Sequence, residues 1–417
     1  MSGADIKILE TTIDNIIKLL DDPTSFLGRA KQHHVVSDVG ATNCRIAIVA
    51  KGDEGIHEIL FVSKPANSVV ELRAVYQSFV DAITPRRLSK VVAASANCPS
   101  PASGLVAGPL ANYKGATLAD RFIDYATMPR ELFPIEDTVV LNDLEACAHG
   151  IVATSALNSF SSAFSCMWEA KKPHAPYAGA IGKGNCVVVA PGTGLGVAAI
   201  QYHHHDDKHT VFPLEFGHTN VPYVSNVIPA NTHDKKKIAA PCSSSTAAFA
   251  DQPTAAASSA AFLDDYAIAA YKGKFPCEFD DLCAGRGMER AYKFLSGGKS
   301  LKAPQISKAA KEGDKAAMGA MRLYNKLIMN FCSQMAMGFQ PKCIVVCGDN
   351  AVRNSYFYES EKNIAEMKAE YLEHSMERYG FMSKVHLLRQ TKQMNLNLLG
   401  CAYVCETMQK HGKKSKL

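Results

Sequence analysis

The 417-residue sequence has no CxxC pair, no N-terminal run of basic then apolar residues, and no long apolar stretch. Gly, Pro or charge interrupts every apolar run well short of the ~20 residues that span a bilayer, so no membrane partner is expected. Without CxxC there is no footing for zinc or thioredoxin-like chemistry. Thirteen cysteines are an odd number, and they sit inside apolar runs, such as Cys186 in NCVVVA and Cys343 and Cys347 in KCIVVCGD. They read as free thiols in a reducing compartment rather than a disulfide framework. The charge excess is small at +5 and scattered, with Lys235-Lys236-Lys237 a short solvated run, so no nucleic acid is expected.

What is present suits an ordinary globular enzyme: 47% hydrophobic, 20% charged, and long enough for two domains sharing a cleft. Ile6, Leu9, Ile13, Ile16, Ile17 and Leu20 recur at helical spacing, which predicts an amphipathic helix closed by Asp21-Asp22-Pro23, ahead of the first strand. His34-Val35-Val36 then runs into the loop SDVGATN (37–43), with strands over 44–50 and 57–63. Ser68 caps a helix through Ile83, and KVVAASAN (90–97) reads as a buried strand. The same grammar returns later: NCVVVAP (185–191), the tight loop GTGLG (192–196), VAAIQY (197–202), a polar turn, and HTVFPLE (209–215). Two hairpin meanders, each with a Gly/Thr loop between its first strands, predict two similar α/β domains. TVVLNDLEACAHG (138–150) is a strand running into a helix. A long helical pattern at 308–338 leads to the strand KCIVVCGDN (342–350). KVHLLR (384–389) and the apolar helix NLNLLGCAYVCETM (395–408) close the array. The Ala/Ser-rich stretch at about 230–265 lacks periodicity and reads as a surface insertion.

Four elements carry chemistry. DVGATN (38–43) and PGTGLG (191–196) place small residues where strands turn back, so backbone N–H groups can reach an anion. Gly40, Ala41, Gly192, Gly194 and Gly196 open those turns. The Thr42 and Thr193 hydroxyls and the Asn43 amide can donate to phosphate oxygens, and the Asp38 carboxylate can hold the water shell of Mg²⁺. Two such loops at matching points of a duplicated fold would grip a nucleotide from both sides. Asn142-Asp143 ends an apolar strand, where open α/β sheets place a cleft. The competing reading is that Asp143 only caps a helix starting at Leu144. Glu215 and His218, in LEFGHTN (214–220), can satisfy adjacent hydroxyls of a polyhydroxylated ligand. The His203-His204-His205 run with Asp206, Asp207 and His209 reads as a solvated hairpin tip.

DVGATN, NDLEACAHG, APGTGLG, EFGH and VVCGDN, in this order, resemble the glucokinases of the actin/hexokinase/Hsp70 superfamily. Through GDNAVRNSYFY (348–358), MERYGFMSKVHLLRQ (376–390) and NLNLLGC (395–401), the chain is most similar to glucokinases of kinetoplastid-type protists. The resemblance implies two ribonuclease-H-like domains, a duplicated hexokinase/actin-type fold, flanking a cleft. It implies a helical extension over 1–33, a small domain over 34–140 completed by a C-terminal helix at about 392–409, a large domain over 141–391, and a tail over 410–417. It implies ATP and Mg²⁺ as cofactors, glucose as substrate, and a homodimer. Asp143 resembles the catalytic base that takes the 6-hydroxyl proton. Asn97, Asn112, Asn142, Glu215 and His218 resemble sugar ligands. The family's further sugar-binding Glu falls on Asp280, one methylene shorter, with Glu278 nearby as a substitute. Gly348, Asp349 and Asn350 match the adenosine-side loop.

Other activities remain open: a sugar-sensing repressor, an Hsp70- or actin-like ATPase, or a kinase for glucosamine, mannose or fructose. The segment TNVPYV after His218 has no cysteine and the N-terminus has no helix-turn-helix pattern, which disfavours the first. The paired NDLEA and EFGH disfavour the second. The terminal Ser415-Lys416-Leu417 reads as a peroxisomal address, recognised by an import receptor after synthesis in the cytoplasm.

Overall fold

The structure is a computed structural model and describes residues 6–30, 32–52, 55–83, 91–171, 177, 179–221 and 259–412. The chain opens with β1 (Lys7–Glu10), α1 (Ile13–Asp21) and α2 (Phe26–Arg29), then lays down β2 (Gln32–Val39), β3 (Asn43–Gly52) and β4 (Gly55–Pro65). In α3 (Val69–Ile83) the Ser68 hydroxyl accepts the Glu71 amide at 3.2 Å, the predicted cap. β5 (Val91–Cys98) and a small sheet of β6 (Ala102–Ser103), β7 (Val106–Ala107) and β8 (Ile123–Asp124) follow. Next come β9 (Thr138–Asn142), α4 (Asp143–Ala156), α5 (Phe160–Ala163) and β10 (Phe164–Trp168). The second meander is β11 (Cys186–Pro191), β12 (Leu195–His203) and β13 (Lys208–Leu214). Helices α6 (Ser259–Tyr271), α7 (Phe279–Cys283), α8 (Gly285–Leu295), α9 (Ala303–Lys311) and α10 (Lys315–Phe339) precede β14 (Cys343–Val346). The chain ends through α11 (Asp349–Arg353), α12 (Ser355–Tyr358), α13 (Glu361–Leu372), β15 (His386–Gln390) and α14 (Leu396–Gly412).

The two large sheets run β1-β4-β3-β2-β5-β9 and β10-β15-β14-β11-β12-β13. Without the outer strands β1 and β10 the orders are the same. In each, a three-stranded antiparallel meander is extended by two strands parallel to its first, β5 and β9 in one case, β14 and β15 in the other. This is the duplicated α/β fold that the repeated grammar predicts.

Helices α4 and α14 hold the halves together. α14 buries Leu398, Leu399, Ala402 and Cys405 against Val36, Ala47, Val49 and Ala93 of the first sheet. α4 buries Cys147, Ala148, Ile151 and Val152 against Val188, Ala198, Ile200 and Val345 of the second. The opposite face of α4, with Ala146 and Ala153, joins the α14 cluster. Both helices carry a glycine where their backbones meet. A Cβ on Gly400 would overlap the Ala146 carbonyl, and one on Gly150 would overlap that of Leu396.

Several expectations need correction. Lys7–Glu10 is not helical: it pairs in parallel with β4, from Lys7 opposite Glu58 to Glu10 opposite Phe61. The helix starts only at Ile13, where Thr12 accepts the Asn15 amide at 3.2 Å. The apolar pattern is the same in either state, and the open edge of β4 decides for the strand. Residues 1–33 therefore supply a sheet strand as well as helices. The 308–338 pattern is two helices, broken at Gly313 (φ 95°), where Asp314 caps α10 through the Ala317 amide at 2.7 Å. Of the proposed insertion at 230–265, residues up to 258 lie outside those described, as does the Ser415-Lys416-Leu417 tail. From Ser259 the chain is α6, with Phe262 and Leu263 buried in the largest core, so 259–265 is not a surface insertion. His203 is the last residue of β12, and His204–Asp207 are the exposed turn between β12 and β13.

Among the described residues no helix is long and apolar enough to cross a membrane. Their twelve cysteines are all free thiols.

Candidate active site

A cleft of about 920 Å³ opens between the two sheets. Its floor is the junction of β9 with α4. Asn142 caps the helix, accepting the Leu144 amide on Oδ1 at 2.9 Å while its own backbone N–H donates to Glu145 at 3.3 Å. Asp143 is the first residue of the helix, with Asn142 in the cap position, and its own Oδ1 also accepts the Leu144 amide at 2.8 Å, so this carboxylate both supports the helix start and borders the cleft. Burial, reinforced by the negative charges of Asp38 and Glu215, pushes its pKa up to about 7.

Asp38 is the penultimate residue of β2 with Arg45 directly opposite on β3, and the two form an ion pair at 2.8 Å. Asn395 and Asn397, at the entry of α14, donate to its two oxygens at 3.2 and 3.3 Å. One buried carboxylate thus ties the first sheet to the C-terminal helix, and it still borders the cleft.

The two glycine loops are built alike. The Gly40 amide donates to Asn43 O, and the Gly192 amide to Gly194 O, each at 2.8 Å. They are not placed alike. Gly192, Thr193, Gly194 and Gly196 line the cleft, whereas Gly40, Ala41, Thr42 and Asn43 stand outside its wall. The second loop is braced from below by the turn between α7 and α8. Asp280 accepts the Leu195 amide and pairs with Arg286, and the Gly285 amide donates to Gly192 O at 2.9 Å. Gly348 (φ 98°) and Asp349 also line the cleft. Asn350 does not, but its amide donates to Pro191 O at 3.1 Å and fixes this loop to the glycine loop.

On the sugar side predicted by sequence, Glu215 and His218 line the cleft. His218 Nδ1 lies 2.8 Å from Glu278, a hydrogen bond that raises the imidazole pKa above its usual 6.5. Asn97 is a correction. It is fully buried behind Asp38, donating to Ser37 O at 3.2 Å and meeting Asn397 at 3.5 Å, and it does not line the cleft. Asn112 is exposed in a turn outside the wall. Asp280 lines the cleft, but both its oxygens are engaged, by the Leu195 amide and by Arg286; the carboxylate bonded to His218 is that of Glu278, which stands behind the histidine and off the cleft wall. The sequence reading missed Arg45, Arg286, Asn395 and Asn397. The last two stood in the NLNLLGC motif but had no chemistry until the fold set them on Asp38.

These carboxylates can be told apart. Asp280→Ala would leave the Leu195 amide and Arg286 without their partner, a cost of ~1–3 kcal/mol borne by the glycine loop, so nucleotide KM should rise with glucose KM nearly unchanged. Glu278→Gln should raise glucose KM and spare the nucleotide. Steady-state kinetics varying each substrate separately decides between them. A rise in glucose KM for Asp280→Ala alone would restore Asp280 as the sugar ligand.

The model of the ROK family matches residues 177–391, just over half of the chain. The chain belongs to the ROK family. The Glucokinase family model matches residues 35–231, from the first meander through the whole of the second. Glucokinase 1 of Trichomonas vaginalis is 26% identical over 318 residues, 73% of this chain and 76% of that protein. The crystal structure of Leishmania braziliensis glucokinase superposes with a TM-score of 0.76 at 27% identity, covering 96% of this chain and 99% of that one. The glucokinase of Balamuthia mandrillaris in complex with glucose gives 0.73 at 25% identity, over 94% and 98%. The superposition over nearly whole chains accords with the kinetoplastid-type resemblance of the motifs.

Proposed function

We propose that the protein transfers the γ-phosphoryl group of ATP to the 6-hydroxyl of glucose, giving glucose 6-phosphate and ADP. That it is a sugar kinase of the glucokinase type rests on the two family matches and the glucokinase relatives. The observation that carries the reaction is Asp143: a cleft-facing carboxylate with a pKa of about 7, opposite a glycine loop open to the same cavity. A general base works best when its pKa lies near the operating pH. Phosphoryl transfer otherwise asks mainly for positioning and charge neutralisation.

In this reading the Gly192–Gly196 amides and the Thr193 hydroxyl hold the phosphates, and Gly348 and Asp349 border the adenosine. Asn142, Glu215 and His218, the last oriented by Glu278, hold the sugar hydroxyls and aim O6 at the γ-phosphorus. Mg²⁺ fits Asp38: an acceptor-only oxygen pair, with three N–H donors already fixing its orientation, has lone pairs left for metal-bound water. When bound, Mg²⁺ would neutralise charge on the transferring phosphates. Because Gly40–Asn43 and Asn112 stand outside the cleft wall, closure of the domains on glucose would bring them to the ligands and exclude water as a competing acceptor.

The test is ADP release from Mg-ATP with glucose, glucosamine, mannose or fructose as acceptor. Glucose-dependent release is expected; sugar-independent hydrolysis or binding without turnover would overturn the reading. We also propose a homodimer and delivery to peroxisomes or glycosomes through Ser415-Lys416-Leu417. A fluorescent fusion placed at the N-terminus should enter those organelles and stay cytosolic once Leu417 is deleted. Unchanged import of the truncated fusion would refute the address.

A further inference from the structure

We propose that Cys147 and Cys347 form a dithiol site at the floor of the cleft that captures trivalent arsenicals. The two sulfurs lie 3.7 Å apart although the residues are 200 positions apart in sequence. Cys147 sits on α4 one turn beyond Asp143, and Cys347 joins β14 to Gly348. Both are buried, and both line the cleft. A second thiol pair, Cys186 and Cys343, faces across β11 and β14 but lies within the core, off the cleft wall. Only the first pair is within reach of a molecule entering the cleft.

The setting selects the reagent. A disulfide needs sulfurs ~2.05 Å apart, so direct oxidation would have to draw α4 and β14 together. One bridging atom fits between the sulfurs as they stand. The hydrogen bond to Cys347, burial, and the carboxylates of Asp143 and Asp38 all hold the Cys147 thiol protonated. Reactions that need a thiolate, such as peroxide attack or ligation of a divalent cation, are therefore opposed. An organoarsenic(III) oxide, hydrated to R–As(OH)₂, consumes two neutral thiols. Two As–S bonds form and two As–O bonds break. Each thiol proton leaves with an oxygen as water, and the arsenic is neither oxidised nor reduced. The product is uncharged and stays compatible with a buried site. Its organic substituent would project between Asp143 and Gly348 and obstruct both halves of the cleft.

Phenylarsine oxide titrated into the full chain tests this, with intact mass, peptide mapping and turnover read together. The expected result is one phenylarsine per chain bridging Cys147 and Cys347, with activity lost in proportion to labelling. 2,3-Dimercaptopropanol should restore activity and 2-mercaptoethanol should not, and saturating glucose and nucleotide should slow labelling. Cys347→Ser and Cys147→Ala should each turn over as wild type without reagent and keep that activity with it. Absence of labelling, a label mapped to other cysteines, full turnover of the labelled protein, or wild-type sensitivity in both variants would each overturn the proposal. Mass and mapping stand apart from the glucokinase reading, so the two can fail separately. If one variant does not fold, the other and the wild-type map still decide.

Discussion

Asp143→Asn is expected to lower kcat by about 10²–10⁴-fold, the usual worth of a positioned general base, with only a modest rise in glucose KM. The amide keeps the size of the side chain and can still meet a sugar hydroxyl, but it cannot take the O6 proton. Because Asn142 is the helix cap, the fold should survive. The pH dependence adds a second readout. With a pKa of about 7 in the ligand-free protein, wild-type kcat/KM should fall roughly ten-fold per unit below that value, and the remaining activity of the variant should not follow this limb. Stability runs the other way. The folded pKa lies above the ordinary 3.8, so the native state binds this proton more tightly than the unfolded chain does. The resulting stability is full below about pH 4 and is lost as pH rises through about 7. The variant has no such loss to suffer, so its Tm should exceed that of wild type at pH 8 and differ little at pH 4. Retained turnover would exclude Asp143 as the base. Equal Tm differences at both pH values would show that its environment does not disfavour the charge.

Gly400→Val should be the most damaging substitution away from the chemistry. The new side chain would start inside the Ala146 carbonyl and within 2.7 Å of the Gly150 amide, and neither backbone atom can move without displacing a whole helix. Overpacking usually costs ~1–3 kcal/mol, and more where backbone must yield, which for a domain of this size means several degrees of Tm or loss of soluble protein. Parting α4 from α14 also shifts Asp143 relative to Asp38, since each lies on or against one of these helices, so kcat should fall in whatever protein remains folded. Gly338→Ala, near the end of α10, is the control: its Cβ would meet nothing within 4 Å, and helix propensity favours it by ~1 kcal/mol. Thermal melts and turnover on the three proteins separate the cases. A Gly400→Val protein as stable as wild type would mean that the helices do not cross this closely.

The two meanders, the strand-to-helix turn at Asn142-Asp143 and both glycine loops were legible in the sequence because each is local. Alternation, a turn residue and a following helical period need no distant partner to be recognised. The resemblance of five motifs added which chemistry those turns serve. Three kinds of feature lay beyond it. The strand Lys7–Glu10 depends on the free edge of β4, some fifty residues away, and its apolar spacing is the same in either state. The break at Gly313 depends on where α9 and α10 pack. The partners of the carboxylates depend wholly on the fold: Asp38 receives Asn395 and Asn397 from the far end of the chain, Asp280 turns to the Leu195 amide, and Glu278 meets His218.

By itself, then, the sequence determined the element types, the duplication and the residue types at each turn, since these follow from short-range periodicity and backbone sterics. Which carboxylates are free to do chemistry was decided only by the tertiary structure. A carboxylate's role is set by the donors within about 3 Å of it and by how little water reaches it. Both are properties of residues brought together across hundreds of positions, as Asp143 shows in being held near pH 7 by its burial and by the charges of Asp38 and Glu215.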